Sequence, residues 1–445
     1  MNDIKKINVK RNAKYFFGLT LYKISLDIVY IFFVVPYYSY IGLNYAPSFS
    51  KYIIGMLFFI IISIQTIKTF SKNRPSRMIV LMINLIYFLP GITYYSFSAV
   101  NTNYFILFSI YSILFNFWNN ILPFINFELP KVRNRRIVFR ITIVLIALGA
   151  LFIVGKYNNF RLHFNLFKVY DLRAIVREMN LPGIVGYFRP VATSIIPIGA
   201  VYYLKRKKFI IFLLLVFIQL LLFAFGGHKT TIFILIVAIL AVLILKKDYI
   251  NKTIPSLTLI NIIAIIEGSV KQDLSTIAAY IHRRNMFTTN SLSYLYYDYF
   301  SKNHPDYLRQ SILRHLGFGS TYNIPIHQII SEVYFGGTGG ANNGMVGDAF
   351  ANFGWACLLI YPLMFAIVFR FFDYCTIEID EGILFVVSVI FTINFVNSSF
   401  FTVMGTHGFL VITMFLYFLP KETYREINRK KGLTYGDNFK KQFGL

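Results

Sequence analysis

Charge of either sign is scarce in this chain, and acid is scarcest of all. Asp and Glu number 19 against 44 Lys and Arg, and charged residues fill only 14% of the 445 positions. With 56% hydrophobic residues and a mean hydropathy of +0.59, that scarcity excludes a water-soluble domain, whose core could not hide so much apolar surface. Cysteine is almost missing. Cys357 in an apolar run and Cys375 just beyond it are the only two, which excludes a disulfide framework and a Cys-rich metal site. The apolar runs also lack alternation in polarity, which excludes a membrane β-barrel.

What remains is a succession of long Ile, Leu, Phe and Val runs. One crossing needs about 20 apolar residues, and hydrocarbon leaves no backbone group unpaired, so the runs are predicted helices. The expected fold is all-α: a polytopic integral membrane helix bundle of about 12 transmembrane helices with a large extracytoplasmic loop, residues 1–445 forming one transmembrane domain. Spans are expected at about 24–43, 52–68, 78–97, 104–125, 137–155, 184–204, 209–226, 230–245, 253–268, 345–369, 383–399 and 404–420. The first is read as a retained helix rather than a signal peptide, because it is long, carries Asp27 and lacks a small-residue cleavage site.

Lys and Arg collect in alternate connections: Lys5 to Lys14, Lys68 to Arg77, Lys131 to Arg136, Lys205 to Lys208, Lys246 and Lys247, and the tail from Lys421. Positive short loops stay cytoplasmic, so both termini are expected inside. The connection holding Asp373, Glu378, Asp380 and Glu381 is acidic and gives that pattern no support. These loops account for most of the net charge of +25, which therefore needs no nucleic acid as partner.

Two long segments, about 156–183 and 269–344, fall outside and break the positive-inside expectation. Guanidinium groups grip phosphate oxygens in a two-pronged way, so Arg173, Arg283 and Arg284 are candidates for binding a lipid diphosphate. Arg189 lies just inside the sixth expected span, where a charge costs about 2.5 to 3.5 kcal/mol and asks for an anion, either Asp171 or Glu178 or a ligand. Lys229, at a helix junction near the same surface, is either a snorkelling side chain or a further anion contact. Tyr296, Tyr297 and Tyr299 belong to a dense aromatic run that suits either an interfacial belt or a surface on which sugars stack. The glycine-rich stretch 335–344 follows no strand, so a phosphate-cradling loop is not expected there. No Asp-x-Asp pair, His-Glu-x-x-His or Cys/His cluster lies on this face, so no metal and no cofactor is expected.

The order of short motifs resembles the Wzy-type O-antigen or capsular polysaccharide repeat-unit polymerases. It runs from Leu26-Asp27-Ile28-Val29-Tyr30 and Val169-Tyr170-Asp171-Leu172-Arg173 to His282-Arg283-Arg284-Asn285-Met286-Phe287. It continues through Tyr296-Tyr297-Asp298-Tyr299-Phe300 and Ile330-Ser331-Glu332-Val333-Tyr334-Phe335 to Asn343-Gly344 and Gly347-Asp348-Ala349-Phe350. The resemblance implies a metal-independent glycosyltransferase of the bacterial cytoplasmic membrane. Its donor and acceptor would both be undecaprenyl-diphosphate-linked oligosaccharides, with membrane lipid and a chain-length regulator as partners. It would transfer the growing glycan to the non-reducing end of a new lipid-linked unit on the outer face. Arginines would then stabilise the departing diphosphate, and Glu332, His327 or Asp348 would take the acceptor's proton. An O-antigen ligase-like transferase differs only in acceptor. A polysaccharide transporter or flippase ranks third, because no internal repeat is evident.

Overall fold

The computed structural model describes residues 2–160, 176, 178, 179, 181–246, 248–337 and 339–421. Every regular element among them is helical. Among the described residues nine helices are long and apolar enough to cross a membrane: Lys10–Ile41, Phe49–Phe70, Arg77–Phe97, Arg135–Asn158, Gly183–Lys205, Phe209–Gly226, Tyr249–Lys271, Met345–Thr376 and Phe400–Tyr417. The chain is therefore a multi-pass helical membrane protein. Of the other runs read as spans, Thr102–Ile121 is diluted by Asn103, Ser109, Ser112, Asn116, Asn119 and Asn120. Lys229–Leu245 and Glu381–Asn397 are shorter.

The short basic connections gather at one end of the bundle, and the acidic connection lies among them. Arg77 meets Glu381 at 3.6 Å, Lys421 meets Glu378 at 3.8 Å, and Lys205 pairs with Asp380. Arg135 lies over the Tyr417 ring, whose hydroxyl donates to the Pro130 carbonyl at 2.9 Å. Just beneath, Arg370 and Asp373 form an ion pair at 2.6 Å with side-chain exposures of 1% and 0%. Asp373 also accepts from the Ser76 amide and hydroxyl, and Arg370 donates to the Asn119 carbonyl. Five groups from three segments thus share one buried charge pair.

Proline inside a span removes a backbone donor, and the bundle repairs the loss with side chains. Pro197 leaves the Thr193 carbonyl without its helical N–H. Gln219 from the next helix donates to that carbonyl at 3.0 Å and to the Thr231 carbonyl at 3.1 Å, tying three helices together.

The segment about 269–344, expected to be a loop outside the bundle, is only partly so. Widened π-helical turns over Ala278–Phe287 run straight into the helix Thr288–Phe300, and His282, Asn290, Ser291 and Ser293 on it are buried. Each of these four side chains makes a hydrogen bond to a neighbouring element, although His282 Nδ1 is left without a partner. His282 Nε2 meets Asn261 Oδ1 at 2.7 Å, Asn290 donates to the Tyr87 carbonyl, Ser293 meets the Tyr87 hydroxyl at 2.6 Å, and Ser291 donates to the Ile41 carbonyl. Gly91 makes room for this polar helix, since a Cβ there would come within 2.7 Å of Asn290 Oδ1.

The buried pair fixes an expected energetic signature. Arg370→Met alone should destabilise the detergent-solubilised protein by about 3–5 kcal/mol, because it strands Asp373 in the interior. The double change Arg370→Met with Asp373→Leu should recover most of that loss in the same thermal unfolding assay. Equal losses for single and double variants would refute the account.

Candidate functional site

The opposite end of the bundle carries its charge differently. The helix Gly183–Lys205 begins there, its far end being fixed by Lys205 among the basic connections. Arg189 lies in its second turn, followed by Pro190, which leaves the Gly186 carbonyl without a helical donor. Its guanidinium Nη2 is 3.1 Å from His228 Nε2 and its carbon lies 5.9 Å from the Phe225 ring centre. A Cβ on Gly226 would press on the His228 ring at 3.2 Å and lie in ordinary contact, 3.5 Å, with Arg189 Nη1. Gly227, at φ +60°, turns the chain between the two helices and presents His228 and Lys229 side by side.

From Lys229 the chain of contacts passes to the polar helix. Lys229 Nζ donates to the Tyr280 hydroxyl at 3.3 Å and sits 4.8 Å from its ring centre. Three residues on, Arg283 stacks 4.5 Å from the Tyr38 ring and donates to the Ala279 carbonyl. Arg284 beside it is exposed. No ion pair among the described residues involves Lys229 or Arg283, so aromatic faces hold these cations in place of carboxylates. A ring face orients a cation without cancelling its charge, which leaves the field available to an anion.

A cavity of about 370 Å³ opens at this string, lined by Leu181, Gly183, Gly186, Arg189, Gly226 and His228 among others. A Cβ on Gly183 or Gly186 would meet nothing within 4 Å, so both glycines border open space. Such a space, with a guanidinium and an imidazole in its wall, is chemically suited to a phosphate or diphosphate group.

The structure brings Arg189, Lys229 and Arg283 into one string and leaves other expected site residues apart from it. Arg173 lies outside the described residues. Glu332 is exposed on the helix Ile326–Phe335. His327, on the same helix, is half-buried against Gly340, and burial pushes its pKa below the ordinary imidazole value. Asp348 is buried and its carboxylate accepts from the Phe400 amide at 2.9 Å, the Tyr361 hydroxyl at 3.0 Å and Asn352 at 3.1 Å. Those three donors make it a helix-capping and cross-linking group, apart from the cationic string. Sugar stacking on Tyr296 and Tyr297 is corrected. Both are buried, Tyr297 against Phe350 and Tyr104, while the Tyr296 hydroxyl donates to the Ala341 carbonyl. Tyr299 is half-buried beside Phe300 and Tyr322. Tyr38, His228 and Tyr280 join the string unexpectedly. The signal for two of them was present, since His228 precedes Lys229 at a glycine interruption and Tyr280 lies one turn before Arg283 and Arg284.

Among the described residues no group of three or more His, Cys, Asp and Glu is placed to hold a metal ion. No protein-family model matches the chain, and no curated protein or solved structure is similar to it.

The cationic string predicts anion binding. Inorganic pyrophosphate should raise the unfolding temperature of the purified protein, and the rise should shrink as salt is added. Arg189→Ala combined with Lys229→Ala should remove most of the effect. An undiminished shift in that double variant would place the anion elsewhere.

Proposed function

We propose that the chain is a Wzy-type polymerase of undecaprenyl-diphosphate-linked oligosaccharide repeat units in the bacterial cytoplasmic membrane, with about 12 spans, both termini cytoplasmic and the Arg189 end outward. The observation that carries this reading is the string of cations at the end opposite the basic connections, with Lys229 and Arg283 held by aromatic rings and Arg189 in the wall of a cavity. A diphosphate leaving group makes that arrangement useful. In the transfer, the acceptor hydroxyl oxygen bonds to the anomeric carbon while the bond from that carbon to the diphosphate oxygen breaks. The diphosphate leaves with the electron pair.

Neutralising that growing charge is the main catalytic demand. Arg189, Lys229, Arg283 and Arg284 meet it with fixed positive charge, and Arg173 from the neighbouring segment is assigned to the same task. Guanidinium does so without proton transfer at any pH the cell reaches. The motif order shared with the polymerases supports the identity of the sugar donor.

In cells that make the cognate polymer, Arg284→Ala and Arg189→Ala should leave the protein inserted at wild-type level and cut chain growth by about 10²–10³-fold each. Gel analysis of surface glycan would then show single repeat units or none. Polymer of normal length in both variants would overturn the proposal. Long chains retained on the carrier lipid would assign the protein to ligase-like transfer instead.

A further inference from the structure

A second polar centre lies at the upper end of the helix Glu381–Asn397, in a place where hydrocarbon would forbid it. That helix starts among the basic connections and is almost wholly enclosed by its neighbours. Its 17 residues rise about 25 Å, which carries Asn397 toward the Arg189 end. There the helix stops. Ser398 and Ser399 are extended, Phe400–Met404 forms a short helix, and the chain breaks again over Gly405 to Gly408 before Phe409–Tyr417.

Two devices build the first break. Asp348 accepts the Phe400 amide at 2.9 Å, and Gly344 presses so closely that a Cβ would come within 2.0 Å of the Phe395 carbonyl and 2.4 Å of the Ser398 carbonyl. Asn397, Ser398, Ser399, Thr402, Thr406 and His407 are all half-buried, and Gly405 is exposed. Irregular backbone bearing so many polar side chains is tolerated at membrane depth only when it is enclosed by protein or lines a watery cavity. These half-open residues therefore border open space at this end of the bundle. The helix Glu381–Asn397 packs against the three elements that carry Arg189, Lys229 and Arg283, and Gly408 packs against Val191 on the first of them, so this opening and the cationic string share one end of the bundle.

At this opening, His407 Nε2 and Ser398 Oγ are 2.9 Å apart. Among the described residues nothing hydrogen-bonds His407 Nδ1, and that atom is not shut away from solvent. A base at this position requires the tautomer in which Nε2–H donates to Ser398 Oγ, which leaves the Nδ1 lone pair open. The competing groups are placed otherwise. Asp348 is occupied by three donors, His282 is fully buried against Asn261, and Glu332 stands on the exposed helix outside.

We propose that His407 is the general base of the glycan transfer, with Ser398 as its positioning residue; this assignment rests on the polymerase reading above. His407 Nδ1 takes the proton of the acceptor hydroxyl as that oxygen bonds to the anomeric carbon. The diphosphate leaves with the electrons of the broken bond, and the imidazolium then returns its proton to the diphosphate or to water.

The test uses the full-length protein in membranes with synthetic lipid-diphosphate-linked repeat units. His407→Ala should slow polymerisation by about 10²–10³-fold, and added imidazole should restore part of the rate. His407→Gln keeps a donor for Ser398 and much of the packing, so it should stay folded in detergent and be equally slow. Ser398→Ala should lose less, about tenfold. A folded His407→Gln variant with near wild-type rate overturns the base assignment, as does a slow His407→Ala variant that imidazole leaves unchanged. Failure of the wild type to polymerise these units overturns the polymerase reading and this one together. Polymerisation that survives His407→Gln yet stops in Arg284→Ala overturns His407 alone.

Discussion

Everything in this bundle follows from one constraint: hydrocarbon offers no hydrogen bonds, so each buried polar group must find its partner inside the protein. A chain rich in interior proline and with a polar helix threaded through its core can meet that demand only by cross-linking its elements. Gln219 repairs the carbonyl that Pro197 frees, and Tyr87 serves both Asn290 and Ser293. Asp348 repairs the start of the short helix at Phe400. Each repair reaches across from a different element, so the same bonds that satisfy the backbone also fix how the elements sit together.

Ion pairs occur at both ends of the bundle, Lys271 with Glu267 and Lys302 with Asp298 at the far one, but the cations of the string are held in another way. At the basic end, Arg77, Lys205, Lys421 and Arg370 each face a carboxylate, and the positive loops are partly neutralised. At the other end, Lys229 rests on Tyr280 and Arg283 on Tyr38. A carboxylate there would quench the field, whereas a ring face leaves it in place. That contrast is what separates a scaffold of ion pairs from a place prepared for an anion.

Hydropathy made much of this legible, because spans facing lipid must be apolar along their whole length. Phe209–Gly226 and Arg135–Asn158 could hardly be anything else. It could not reveal the helix through Ala278–Phe300, since a helix ringed by protein is free to be polar, and its composition reads as a loop. Arg189 was legible as a charge with no business inside a span, but its imidazole partner came from a helix junction 39 residues away. Tyr296 and Tyr297 read as a surface because tyrosine favours interfaces; only the neighbours Phe350 and Ala341 show them to be interior. The last two apolar runs read as separate spans near 383–399 and 404–420. The interruptions fall instead at Ser398 and at Gly405 to Gly408, positions set by Asp348 and Gly344 from a remote segment.

The spacing of the segment Asn343 to Asn352 now has a physical reason. Residues four apart share a helix face, and Gly344, Asp348 and Asn352 are so spaced. Gly344 abuts the Phe395 and Ser398 carbonyls, and Asp348 takes the Phe400 amide. Asn352 donates to Asp348 and accepts from the Leu308 amide in the connection above. The adjacent face brings Gly347 against Ser293 and Asn343 onto the Ser293 hydroxyl. One short helix therefore joins the polar helix, the connection after it and the broken helix that carries His407. None of its residues belongs to the cationic string, yet a methyl group on Gly344 or a lost carboxylate at Asp348 would shift the elements on which the site is built. Invariance at these positions would thus reflect the fixing of geometry.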